Sequence, residues 1–222
     1  MSSTTSYRLS GVALLIGSVL SILSYLMQGF FLNDNDLTTI TSPLSLIIFV
    51  LGCIGSVFVL LGLPGVYARQ ARRAGTLGLL GFLFLWYVTL YQGVLTAFTA
   101  MMTISQMTAH IVPQSVAVWT TPPPASAPFF LVSLVGQTVG ILLLALATLR
   151  ARVFPRWIAW LFIVTLVLGV VTFLPVFPQA LSNLAAILGS VAVAGFGVAL
   201  LSPERLEHMQ PATASTAAAA NA

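Results

Sequence analysis

The chain has no lysine, a single cysteine and only four acidic residues. Each scarcity removes a class of function. Without lysine there is no amine to hold retinal as a Schiff base. One cysteine, Cys53, rules out an intrachain disulfide and any CxxC redox or zinc motif. Set in an apolar run, it reads as a small buried hydrophobe. Charge is the deepest deficit. Charged residues fill 5% of the 222 positions, whereas a soluble domain carries roughly 25% because its surface must hold water. Most of the outer surface must therefore meet lipid, in keeping with 59% hydrophobic residues and a mean hydropathy of +1.06. The eight basic residues are all arginine and leave a formal charge of +4. They sit in short turns and are too few to track a phosphate backbone, so no nucleic-acid partner is expected.

What is present is apolar sequence in long blocks. A bilayer core of about 30 Å takes about 20 apolar residues per helix. Six runs meet that standard: 11–32, 43–63, 76–102, 128–149, 157–174 and 179–201, none containing Asp, Glu, Lys, Arg or His. The first is too long for the apolar stretch of a secretory signal and has no small-residue cleavage site after it, so it reads as a retained helix. The expected fold is an all-α polytopic membrane bundle of six transmembrane helices. It forms one domain over 1–202, followed by a disordered, low-complexity tail over 203–222. Ser42-Pro43 supplies an N-cap and a first-turn proline, and Pro128, Pro155 and Pro178 stand near the starts of later helices. Pro64 and Pro175 stand near helix ends, so no proline argues for a broken transport helix. No internal repeat is convincing.

Alternation of six helices places Arg8, Arg69, Arg72, Arg73, Arg150, Arg152, Arg156 and Arg205 on one side of the membrane. Asp34, Asp36 and His110 fall on the other. Arginine in short loops stays cytoplasmic during insertion, so both termini are expected inside. Arg69, Arg72, Arg73, Arg150, Arg152 and Arg156 would then anchor tight turns, with contact to anionic lipid headgroups as an added role. Trp157 and Trp160 fit the aromatic belt at headgroup depth. The longest loop, 103–127, lies outside; its first half either extends the third helix or lies along the interface with Trp119 as anchor. A loop of that length is a place for an external ligand or partner, or a spacer.

Catalysis needs groups that exchange protons, attack or hold a metal. Inside the six runs there is neither carboxylate nor imidazole, so no catalytic residue, no cofactor and no proton-coupled relay is expected. Outside, Asp34, Asp36 and His110 are the only oxygen and nitrogen ligands to consider, and "NDND" reads more simply as a polar turn, so no metal is expected. Intramembrane amides remain, at Gln28, Gln92, Gln137 and Asn183. Gln92 and Gln137 either bond across helices or line a polar pocket with Tyr87, Tyr91 and Thr138. Small residues mark close packing: the pair Gly136 and Gly140, and the series Ser182, Ala186, Ser190 and Ala194 at every fourth position. The neighbour of such a face is another helix of the same chain, a second copy or another membrane protein.

The segments "LRARVFPRWIAWLFIVTLVLGV" (149–170) and "GLPGVYARQARRAGTLGLLGF" (62–82) resemble the Pro-Arg-Trp turn segments of uncharacterised bacterial multi-pass membrane families. The resemblance implies a six-helix protein of the bacterial inner membrane and carries no functional residue across. The functional expectation is a non-enzymatic accessory or interaction protein in the lipid bilayer. The alternative is an uncoupled carrier or sensor for a small apolar or amphipathic molecule, with Tyr91, Gln92 and Gln137 at a polar spot in the bundle.

Overall fold

The computed structural model of the chain describes residues 3–120, 127–172 and 179–202. Helix is the only regular structure among them. Helix α1 (Ser3–Phe31) ends at the NDND turn, where Asp36 caps a single turn, α2 (Leu37–Ile40), by accepting from the Thr38 N–H at 2.9 Å. Ser42 then caps α3 (Pro43–Val88), its Oγ accepting from the Ser45 N–H, with Pro43 in the first turn where its missing N–H costs nothing. A π-helical stretch (Thr89–Leu95) joins α3 to α4 (Thr96–Thr108). After the short α5 (Val116–Thr120) come α6 (Ala127–Ala151), α7 (Arg156–Val171) and α8 (Gln179–Leu201).

The helical run from Pro43 to Thr108 is 66 residues long, about 100 Å if straight and three times the depth of a bilayer core. It is not straight. Gly75 has φ 58° and ψ −149°, a region that L side chains avoid and glycine enters freely. The chain reverses there into two arms, 43–74 and 76–108. Tyr67 stacks on Phe82 at 5.1 Å, and Gly93 lies against Ser56. Both pairs are symmetric about the reversal. The first arm runs past the expected end at Leu63, so Pro64 lies ten residues inside a helix rather than at its close. A proline inside a membrane helix is tolerated where neighbouring groups satisfy the carbonyl it leaves. The third run likewise continues to Thr108 instead of 102, and α1 starts at Ser3 instead of 11. The fourth and sixth runs match α6 and α8 to within two residues. The last residues expected of the fifth, 173–174, and the tail with Arg205 lie outside the described residues.

Neighbours in sequence are neighbours in space, and α8 closes back onto α1. The helices form a ring, each antiparallel to the next. Gly17 meets Gly55, Gly81 meets Leu144, Gly189 meets Thr165, and Gly197 meets Gly11. Backbones approach so closely at Gly17 and Gly55 that a Cβ on either would stand 2.6 or 2.9 Å from the other's carbonyl oxygen. Contact of this kind is what holds helices together where lipid gives no hydrophobic gain. The core lies toward the arginine-bearing end and is built from Leu14, Leu63, Phe154, Phe162, Phe196 and their neighbours. Outward faces are apolar as well: Val19, Leu61, Val135, Val167 and Val198 are exposed. Thr5–Phe31, the folded Pro43–Thr108, Ala127–Ala151 and Ala180–Leu201 are each long and apolar enough to cross a membrane. The apolar α7 is shorter, at 16 residues.

Candidate functional site

One face of α1 sets up the site. Ser10, Gly17, Ser21, Ser24 and Gln28 recur at spacings of three, four and seven residues, which places them on one side of a helix. They meet a matching glycine series on the first arm of α3: Gly65 on Ser10, Gly55 on Gly17 and Ser21, Gly52 on Ser24. Away from the arginines this seam opens. Ser24 Oγ donates to the Ile48 carbonyl at 2.9 Å, and Gln28 Nε2 donates to Ser24 Oγ at 3.2 Å. A cavity of about 130 Å³ lies beside them, walled by Ser21, Ser24, Tyr25, Ser56, Gln92 and Thr96.

The opposite wall is the π-helical stretch. A π turn holds an extra residue and shifts the side chains that follow it, and such turns concentrate at functional positions. Here Gly93 packs on Ser56 while Gln92 reaches the cavity and donates from Nε2 to Gln137 Oε1 at 3.0 Å. The Tyr91 carbonyl accepts from Thr96 Oγ1 at 3.0 Å.

A second, outer chamber of about 470 Å³ shares Gln28 and Phe49 with the first, and its rim includes Leu32, Asp34, Trp119 and Asn183. The NDND turn positions Asp34. Asn33 Oδ1 accepts from the Asn35 N–H, and Asp36 caps α2, so Asp34 faces the chamber between two residues occupied with their own turn. Trp119 Nε1 donates to Asp34 Oδ1 at 3.0 Å, and the Trp119 ring meets Phe49 at 5.7 Å and 59°. Trp119 is thus tied to protein rather than lying free along the interface. His110 is exposed beyond the end of α4, and no group of three His, Cys, Asp or Glu converges among the described residues.

Of the polar cluster expected from sequence, Gln92 lines the inner cavity and Gln137 joins it through their hydrogen bond. Tyr87 and Tyr91 stack on each other at 6.2 Å, and Tyr91 on Phe129 at 6.5 Å, outside the described lining of either chamber. Thr138 Oγ1 donates to the Leu134 carbonyl of its own helix. Gly136 and Gly140 pack on the second arm of α3 at Phe84 and Leu85. On α8, Asn183 and Gly197 lie seven residues either side of Ser190 and hence on the same side of the helix. They meet Gly29 and Gly11 of α1. Helical spacing puts Ala186, Ser190 and Ala194 near that side of α8, while Ser182 lies one step around the helix from Asn183.

The arginines divide. Arg72, Arg73, Arg150, Arg152 and Arg156 are exposed, while Arg69 is 7% exposed. Its Nη1 donates to the Ala199 carbonyl at 2.6 Å, and its guanidinium lies 5.7 Å from the Phe154 ring centroid. Arg69 is therefore a core residue and not a headgroup contact. Arg69 lies outside the apolar run 43–63, which holds no charge, but the first arm continues as a helix beyond that run and carries the guanidinium into the bundle.

The residues missed from sequence are Ser21, Ser24 and Ser56, while the sequence names Asp34 and Trp119 in other roles, as part of a polar turn and as an interface anchor. The first two carried a signal, the α1 series that matches Gly52, Gly55, Gly62 and Gly65. No family model matches the chain, and neither a curated protein nor a solved structure matches it.

Proposed function

We propose that the chain is a six-crossing helical protein of the bacterial inner membrane, both termini cytoplasmic, that binds a small amphipathic molecule from the outer side without covalent chemistry. The observation that carries this reading is the pair of chambers sharing Gln28 and Phe49, the inner one reaching Gln92 in the π-helical stretch. The two arms of α3 supply two of the six crossings, and the clustering of arginine at one end of the ring supports the orientation. Apart from Asp34, the described lining offers hydroxyls, amides and rings, groups that hold a ligand in place. A role as an accessory protein joined to partners through Gly136, Gly140 and the α8 series has less support: Gly136 and Gly140 pack on Phe84 and Leu85 of the same chain, and Gly197 of α8 packs on Gly11.

Thiol labelling tests the reading. In a Cys53→Ser background, Gln92→Cys is expected to react with a small, permanently charged and hence membrane-impermeant thiosulfonate added outside. The reaction should slow when Gln28→Trp adds bulk to the wall the two chambers share. Silence at Gln92→Cys, with Thr120→Cys at the rim reactive, would remove the binding role. Arg72→Cys and Arg152→Cys are expected to react only after permeabilisation, and labelling from outside would reverse the orientation.

A further inference from the structure

We infer that the outer chamber recognises a small organic cation, read by the Asp34 carboxylate together with the rings of Trp119 and Phe49. The inference deepens the binding role proposed above and rests on it.

Charge is the first argument. Among the residues described around the two chambers, Asp34 alone is charged. Arg8, the basic residue at the far end of α1, is roughly 40 Å away at 1.5 Å per helical residue, several screening lengths at physiological salt. The carboxylate is not consumed by its own turn: Trp119 donates to Oδ1, and no described residue donates to Oδ2. Helix ends do not reverse the sign. The last turn of α1 and the first of α8 both reach the chamber, through Gln28 and Gly29 on one side and Ala180 on the other. Their partial charges are opposite and offset.

The rings are the second argument. Trp119 holds Asp34 through its Nε1 and meets Phe49 through its ring, so acid and aromatic faces form one contact group. That combination retains ammonium groups, including those whose methyls leave no N–H to donate. A hard metal ion needs several oxygen ligands, and the group has a single carboxylate. At about 470 Å³ the chamber has the size of a small-molecule site. The neutral end of the ligand would pass Gln28 toward the hydroxyls of Ser24, Ser56 and Thr96. An ammonium group also occurs on phospholipid headgroups, but there a phosphate accompanies it. Asp34 repels that phosphate and no described base receives it, so the free cation is the occupant.

Calorimetry on the full chain, in nanodiscs without choline lipids, separates these cases. The probes are choline, its neutral carbon isostere 3,3-dimethylbutan-1-ol, and phosphocholine. Choline should saturate, and the isostere and phosphocholine should bind at least about tenfold more weakly. Asp34→Asn, which keeps an acceptor for Trp119, should weaken choline about tenfold and leave the isostere unchanged. Trp119→Leu should weaken choline about fivefold, and Trp119→Phe less, since a ring remains. Equal affinity for choline and the isostere, or choline binding indifferent to Asp34→Asn, overturns the cation inference and leaves the chamber as a binding site. Failure of choline to bind in the millimolar range overturns it too, and labelling of Gln92→Cys then says separately whether the chamber itself is at fault. Phosphocholine binding more tightly than choline would transfer the site to lipid headgroups.

Discussion

Arg69 donates to the carbonyl of Ala199, 130 positions away in sequence, at 2.6 Å. Ala199 lies in the last turn of α8, where carbonyls have no partner in their own helix and the helix dipole is negative. A guanidinium from α3 therefore caps α8 from inside the bundle, steadied by the Phe154 ring. Arg69→Met removes a charge-assisted bond of about 1.5–3 kcal/mol, offset in part because a buried guanidinium is costly to desolvate. The expected net loss is about 1–2 kcal/mol in unfolding by a denaturing detergent. Arg72→Met, at an exposed position of the same segment, should change stability by under about 0.5 kcal/mol. Equal stability of the two variants would remove the cap.

Gln70, the next residue, is fully buried, and neither atom of its side-chain amide bonds to a described residue. A buried amide without a partner loses its hydration and gains nothing in exchange. Gln70→Met keeps length and flexibility and removes that loss. It is expected to raise stability by about 1 kcal/mol or leave it unchanged. A clear fall in the midpoint of thermal unfolding would show that the amide is satisfied.

The sequence made the helices legible because lipid permits so little else: an apolar run of membrane length must satisfy its backbone internally. That is why α6 and α8 fall where the runs of 128–149 and 179–201 put them. Boundaries set by charge were less legible. Arg69 looked like the edge of a helix because arginine belongs at interfaces, and only the packing of Phe154 and Ala199 around it makes burial tolerable. The reversal at Gly75 was legible as a turn, but its glycine signal is shared by Gly78 and Gly81, which sit in ordinary helix. The chambers were half legible. Gln92 and Gln137 stood out as amides in apolar sequence. Asp34 and Trp119 are 85 positions apart, and no periodicity joins the turn after α1 to a residue of the short α5.

Glycine packing gives a paired test. An added methyl at Gly17 would stand 2.6 Å from the Gly55 carbonyl oxygen and 2.8 Å from the Val59 nitrogen, backbone atoms that cannot swing aside. At Gly169 nothing lies within 4 Å. Gly17→Ala should therefore cost about 1–3 kcal/mol by overpacking. Gly169→Ala should be neutral, or stabilising by up to about 1 kcal/mol from helix propensity. Both are read from the same detergent unfolding curve. If Gly17→Ala proved harmless, α1 and the first arm of α3 would not be in backbone contact.

Gln92 and Gln137 sit 3.0 Å apart on facing helices, and Gln92 also lines the inner cavity. The two roles have separable consequences. As a bridge between helices the pair should contribute about 0.6–1.7 kcal/mol, so Gln92→Leu and Gln137→Leu should each lower stability by that order. The double variant should lose less than the sum of the two, because the second change removes an amide already without its partner. As part of the cavity wall, Gln92 has a second effect that Gln137 lacks. Gln92→Leu replaces a hydrogen-bonding group facing the ligand's neutral end, whereas Gln137→Leu leaves that group in place. Choline affinity should therefore fall more in the first variant than in the second, at similar stability. Additive losses in the cycle would deny the bridge, and equal affinities in the two variants would take Gln92 out of the binding wall.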